Sequence, residues 1–195
     1  MTAILSGDTG VDTVGPNTVG NSQLIDGSVQ PAKLAQKLTL MTAQNTTSGT
    51  FIDFTGIPSW VKRITVMFNG VSLSGTSNFL IQLGSGSLQT TGYNSSSGSI
   101  SNSVVNATAG STSSAGVVMY SAVAAAVWGG SIELTLCASN SWSAKGVIGT
   151  FTASSGTNMC GGNVTLSGTL DRIRLTTVNG TDVFDAGSVN VMYEG

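Results

Sequence analysis

The chain reads as all-β: an antiparallel β-sandwich or jelly-roll-like domain, preceded by an extended N-terminal arm and a short helix or linker. Three observations lead there. In "VKRITVMF", Ile64, Val66 and Phe68 alternate with Arg63, Thr65 and Met67, the period that puts one side of a strand in a core. Runs of this kind recur along the chain, each only a few residues long and separated from the next by Gly, Ser, Asn or Asp. Hydrophobic residues make up 40% of the chain against 8% charged, where about 25% charged is usual, so the filler is Ser, Thr, Asn and Gly, and the apolar content is too high for disorder.

Residues 1–30 carry Gly7, Gly10, Gly15, Pro16, Gly20 and Gly27 with single apolar residues between them. No element stabilises itself on such a pattern, which predicts an extended anchoring arm laid on a partner. Residues 31–45 follow as a short helix or linker. Ser28 is a cap candidate, Pro31 suits a first turn, and Leu34 and Leu38 fall four apart on one side, where they would pack against sister chains or the following domain. The alternation in "KLTLM" supports a strand-like linker instead.

The β-domain is expected over 46–195, with strands near 50–54, 61–68, 79–83, 117–123, 132–137, 145–151, 163–170, 172–178 and 188–194. Within it, "SAVAAAVWG" is Ala-rich enough for a short helical crossover near 122–127. Residues 84–116 form a Ser/Gly/Asn stretch long enough to be a functional loop or irregular edge strands.

The chemistry that the residues exclude is as informative. The chain has no histidine, which removes Ser-His-Asp and Cys-His catalysis and the usual zinc sites. Glu133 is expected on a strand, facing solvent opposite Ile132, Leu134 and Leu136. The acids of "GDTGVD" and "DVFDAG" match no calcium ligand ladder and read as turn formers. "LGSGSL" lacks the lysine of a phosphate loop. No enzyme, cofactor or metal is expected. Seven scattered Lys and Arg give no basis for nucleic acid, and no apolar run is long enough for membrane insertion. Without a leader pattern at its start the chain is expected to be made in a cytoplasm, with Cys137 and Cys160 as free thiols. Tyr93 and Trp142 are candidates for exposed recognition by stacking on a sugar, although core packing is the commoner use of such rings.

Two stretches, "FTGIPSWVKRITVMFNGVSLSGTSNFLIQLG" and "LSGTLDRIRLTTVNGTDVFDAGSVNVMYEG", resemble a β-domain of tailed-bacteriophage virion structural proteins, of the tail-fibre and capsid-decoration kind. "LIDGSVQPAKLAQKL" is similar to spacers upstream of fibre and spike domains. The resemblance implies a homotrimer located in the virion, joined to tail or capsid proteins through the arm, with Leu34 and Leu38 as candidate trimer contacts. It implies a short trimeric fibre whose tip contacts a host-surface glycan, or alternatively a capsid decoration (cement) or head-fibre protein that stabilises the particle. Fibres of this kind commonly carry a long repetitive shaft, which the short stretch before the β-domain does not provide.

Overall fold

A computed structural model describes residues 36–101, 108–150 and 156–195. The expected arm, Leu34 and residues 31–35 of the expected helix or linker lie outside these residues. The chain divides after Lys37, and the unit from Leu38 to Gly195 is an all-β domain of antiparallel sheets, with no helix among the described residues.

Its strands are β1 (Thr39–Leu40), β2 (Gln44–Asn45), β3 (Ile52–Thr55), β4 (Arg63–Leu73), β5 (Phe79–Ser85), β6 (Ser87–Leu88) and β7 (Asn94–Ser101). They continue as β8 (Thr108–Ser113), β9 (Val117–Met119), β10 (Trp128–Ala138), β11 (Ser141–Thr150), β12 (Gly156–Thr165), β13 (Arg172–Thr177) and β14 (Phe184–Glu194). The larger sheet runs β1-β14-β4-β10-β11-β12-β7-β8, with β2 also on β14. The smaller runs β3-β13-β5-β6, with β9 on the same edge of β5 as β6.

One core forms from the facing sides, consistent with a β-sandwich. Ile64, Val66 and Phe68 of β4, Ile132 and Leu134 of β10, and Val189 and Val191 of β14 are buried from the larger sheet. Phe54, Phe79, Ile81, Leu83, Ile173 and Leu175 are buried from the smaller one. Phe79 meets Phe68 edge-on at 5.3 Å between centroids and stacks on Phe184 at 6.4 Å, tying the two sheets together.

Two expectations are corrected, and two open ones are narrowed. The β-domain begins at Leu38, not at 46, because β1 and β2 pair with β14 and make 38–45 part of the sheet. Leu38 immediately precedes β1 and is 58% exposed, and the described residues of 31–45 hold two short strands and no helix, in line with the strand-like alternative. The Ala-rich run 122–127 is a turn, with Ala122 and Ala125 at positive φ, since it must reverse the chain between β9 and β10. Residues 84–116 mostly pair, as the end of β5, β6, β7 and β8.

Candidate interaction surfaces

Tyr93 and Trp142 are not exposed, which overturns their assignment to recognition. Tyr93 is 5% and Trp142 4% exposed. Strand β5 is paired along one edge with β9 over Phe79–Ile81 and with β6 over Gly84–Ser85, which leaves a gap at Leu83. The Tyr93 hydroxyl enters that gap, accepting from the Leu83 N–H at 2.7 Å and donating more weakly, at 3.4 Å, to the Leu83 carbonyl, which also accepts from the Gln89 N–H at 2.8 Å. Burial pushes the phenol up to about 12, only partly offset by the Leu83 bond. Trp142 pairs with Leu136 and Val164 across the larger sheet and points into the core.

Asp53, Glu133, Asp171, Asp182 and Glu194 bond neighbours of their own chain, while Asp8 and Asp12 of "GDTGVD" lie outside the described residues. Asp182 accepts from the Ser77 N–H at 2.8 Å and from the Asn179 amide at 2.6 Å, while the Asn179 side-chain oxygen accepts from the Thr181 and Asp182 N–H groups. Donors converge on this carboxylate, so the "DVFDAG" acid locks two loops together and presents nothing to a cation. No group of three or more metal-ligating side chains occurs among the described residues. Glu133 lies cross-strand from Lys145, with an ion pair of 3.1 Å, and the Lys145 hydrogen bond holds its carboxyl below the usual range. It stands on the outer side of β10, as the sequence predicts. Arg63 pairs with Glu194 across β4 and β14.

On the outer side of the smaller sheet, Arg174 forks onto Asp53 with two bonds of 2.7 Å and lays its guanidinium 3.9 Å from the centre of the Phe51 ring. Phe51 and Val178 border a shallow depression of about 300 Å³ and are 48% and 53% exposed. The single Arg174 fork is consumed by Asp53, which leaves the depression with few groups aimed into it.

The outer side of the larger sheet is broader. Register across β10, β11, β12 and β7 sets out three rows: Gly129, Gly149, Thr157 and Ile100; then Ser131, Val147, Met159 and Gly98; then Glu133, Lys145, Gly161 and Ser96. Ile100, Val147 and Met159 are 55%, 49% and 46% exposed. Apart from Glu133 and Lys145 these rows carry no charge, and none occurs anywhere from Ile64 to Ile132 or from Gly146 to Leu170. Sequence reasoning passed over this surface because Gly, Ser and Thr at alternate positions look like loop; the cross-strand register is what assembles it. Both cysteines are free, Cys137 exposed and Cys160 half-buried.

No family model, curated protein or solved structure matches the chain.

Proposed function

We propose that the chain is a structural component of a tailed-phage virion, assembled as a homotrimer and joined to the particle through its N-terminal arm, without enzymatic activity. The observation that carries this reading is the strand order. The smaller sheet follows β3-β13-β5-β9, and the larger one contains β4-β10 and β7-β8 in the positions that complete a jelly roll, with the hairpin β11–β12 inserted between β10 and β7. Jelly rolls occur in viral capsid proteins, lectins and cupins, and the resemblance of the β4 and β13–β14 stretches to virion domains supports the first of those uses here.

Of the two sites on the particle, capsid decoration or head fibre is favoured over a receptor-binding short fibre. Tyr93 and Trp142, the two rings expected to meet a glycan, are spent on the core. What remains outside on the larger sheet is broad and carries little charge, suited to lying against other protein.

Particles made without this chain test the reading. They are expected to adsorb to host cells normally and to lose their contents at lower temperature than complete particles, since a bound partner stabilises the state it binds. Adsorption loss with unchanged heat resistance restores the fibre reading; complete particles that contain none of the chain overturn both.

A further inference from the structure

We propose that the outer face of the inserted hairpin β11–β12, with its flanking strands β10 and β7, is a self-association surface, and that its occupant is a second copy of this chain. The inference rests on the assembly reading above but not on where the protein sits in a particle.

Glycine usage points to it first. On the inner side of the same strands the glycines have internal reasons: a Cβ on Gly146 would come within 2.6 Å of the Ile132 side chain, and one on Gly162 within 2.7 Å of the Asn94 carbonyl. On the outer side those reasons vanish. A Cβ on Gly149 or Gly161 would meet nothing nearer than 3.7 or 3.8 Å, and one on Gly98 nothing within 4 Å. None of these three has a positive φ. Each glycine in a strand costs about 0.5–1 kcal/mol relative to alanine, so unforced glycines in the middle of a sheet mark a place where another backbone comes close.

The side chains between these glycines fit the same purpose. Val147 and Met159 stand in one row with their apolar surface in water, and Ile100 extends the patch by one row. Met adapts its shape to whatever covers it. A shallow depression of about 390 Å³ lies among Ser131, Glu133, Lys145, Val147 and Met159.

Charge selects the occupant. The face is neutral and holds one acid and one base side by side, Glu133 and Lys145. A second copy brings an equally neutral face whose one acid and one base are already paired within their own chain, so no net charge opposes contact. A basic or acidic partner would find nothing to match. Four strands at about 4.8 Å and eight residues at about 3.4 Å give about 520 Å² per copy, about 1,000 Å² for two, the size of a weak, reversible contact that forms as concentration rises.

The test is the mass of the full chain in solution, by sedimentation over a wide concentration range, for the wild type and two double variants. Val147→Lys with Met159→Lys places charge on the apolar row. Gly149→Val with Gly161→Val adds bulk where the single chain has room and should leave its fold intact. The wild type is expected to exceed one chain's 19.6 kDa, and both variants to associate at least tenfold more weakly while keeping the wild-type circular dichroism, with Met159→Leu unchanged in mass. A wild type that stays at one chain's mass at every concentration overturns the proposal, as do folded variants that keep the wild-type mass. If a variant fails to fold, oxidation of the wild type decides: Met159 should oxidise more slowly in concentrated than in dilute solution, and equal rates overturn the proposal. Folded variants that keep the assembly yet come from a protein found on particles sink this face and spare the virion reading. Variants that dissolve the assembly of a protein absent from particles do the reverse.

Discussion

The N–H of Val118 donates to the hydroxyl of Ser95 at 2.9 Å, a bond from the edge of the smaller sheet to a side chain of the larger. Two residues further, Tyr120 N–H donates to Ser97 at 3.0 Å in the same way. The hydroxyls of β7 thus stand where the next strand of the smaller sheet would be, and they satisfy the buried edge of β9 without a further strand.

Ser95→Ala and Ser97→Ala are each expected to cost about 1–3 kcal/mol, because each leaves a buried N–H without an acceptor. Ser96→Ala, between them and exposed on the other side of β7, should stay within about 0.5 kcal/mol of wild type. Urea unfolding of the three variants checks the alternation; equal effects at all three positions would contradict it.

Trp142→Ala should destabilise the domain by about 3–5 kcal/mol, the cost of emptying a buried ring position. Were it a recognition residue the same change would leave stability intact. A thermal melt separates the two outcomes.

Alkaline pH should weaken the fold in two steps. Burial raises the Cys160 thiol from 9.0 to about 11 and the Tyr93 phenol from 10.0 to about 12. Both groups keep their protons in the folded chain at pH values where the unfolded chain has lost them. The folded state therefore binds more protons, and stability falls as pH rises. The contribution is complete below pH 9 for Cys160 and below pH 10 for Tyr93, and is lost by about pH 11 and 12 respectively. Cys160→Ala should remove the lower step. Tyr93→Phe should remove the upper one while costing about 1–3 kcal/mol at neutral pH, where the Leu83 N–H loses its acceptor. Unfolding free energies measured from pH 7 to 12 resolve these effects.

Gly75→Ala should cost about 1–3 kcal/mol, because its Cβ would displace the Asp182 carboxylate from the Ser77 N–H and the Asn179 amide. Asp182→Ala should cost about 1–3 kcal/mol by leaving the Ser77 N–H and the Asn179 amide without their acceptor. The double variant should lose less than the sum of the singles, since the clash disappears with the carboxylate. Denaturant titration of the cycle measures it.

The strands legible in the sequence are those whose inward side is apolar: β4, β10, β13 and β14 all alternate as their burial does. Strand β7, "NSSSGSIS", was not legible as a strand, because its inward residues Ser95 and Ser97 serve as hydrogen-bond partners and leave no hydrophobic period to read. Strand β12 begins at Gly156, ahead of the expected 163, since its inward Asn158 donates to the Tyr120 carbonyl where an apolar residue would have signalled burial. Tyr93 looked exposed for a related reason. Its neighbours are polar, and nothing local shows the gap at Leu83 that its hydroxyl enters. The outer face of β11–β12 depends wholly on cross-strand register, which no single window of sequence contains.

The pairing of β4 with β14 also sets when the domain can finish folding. Arg63 and Glu194 meet across 131 residues of chain. At about 5–20 residues per second, ribosomes need roughly 7 to 26 s to deliver that span, and throughout it one edge of β4 has no permanent neighbour. Contacts this remote in sequence also form slowly once the chain is free. Newly made copies therefore pass through a stage in which a β-forming edge, uncharged from Ile64 to Leu73, is open to any other nascent chain nearby. Yield in a host cell should consequently depend on temperature and chaperone supply more than on the stability of the finished domain.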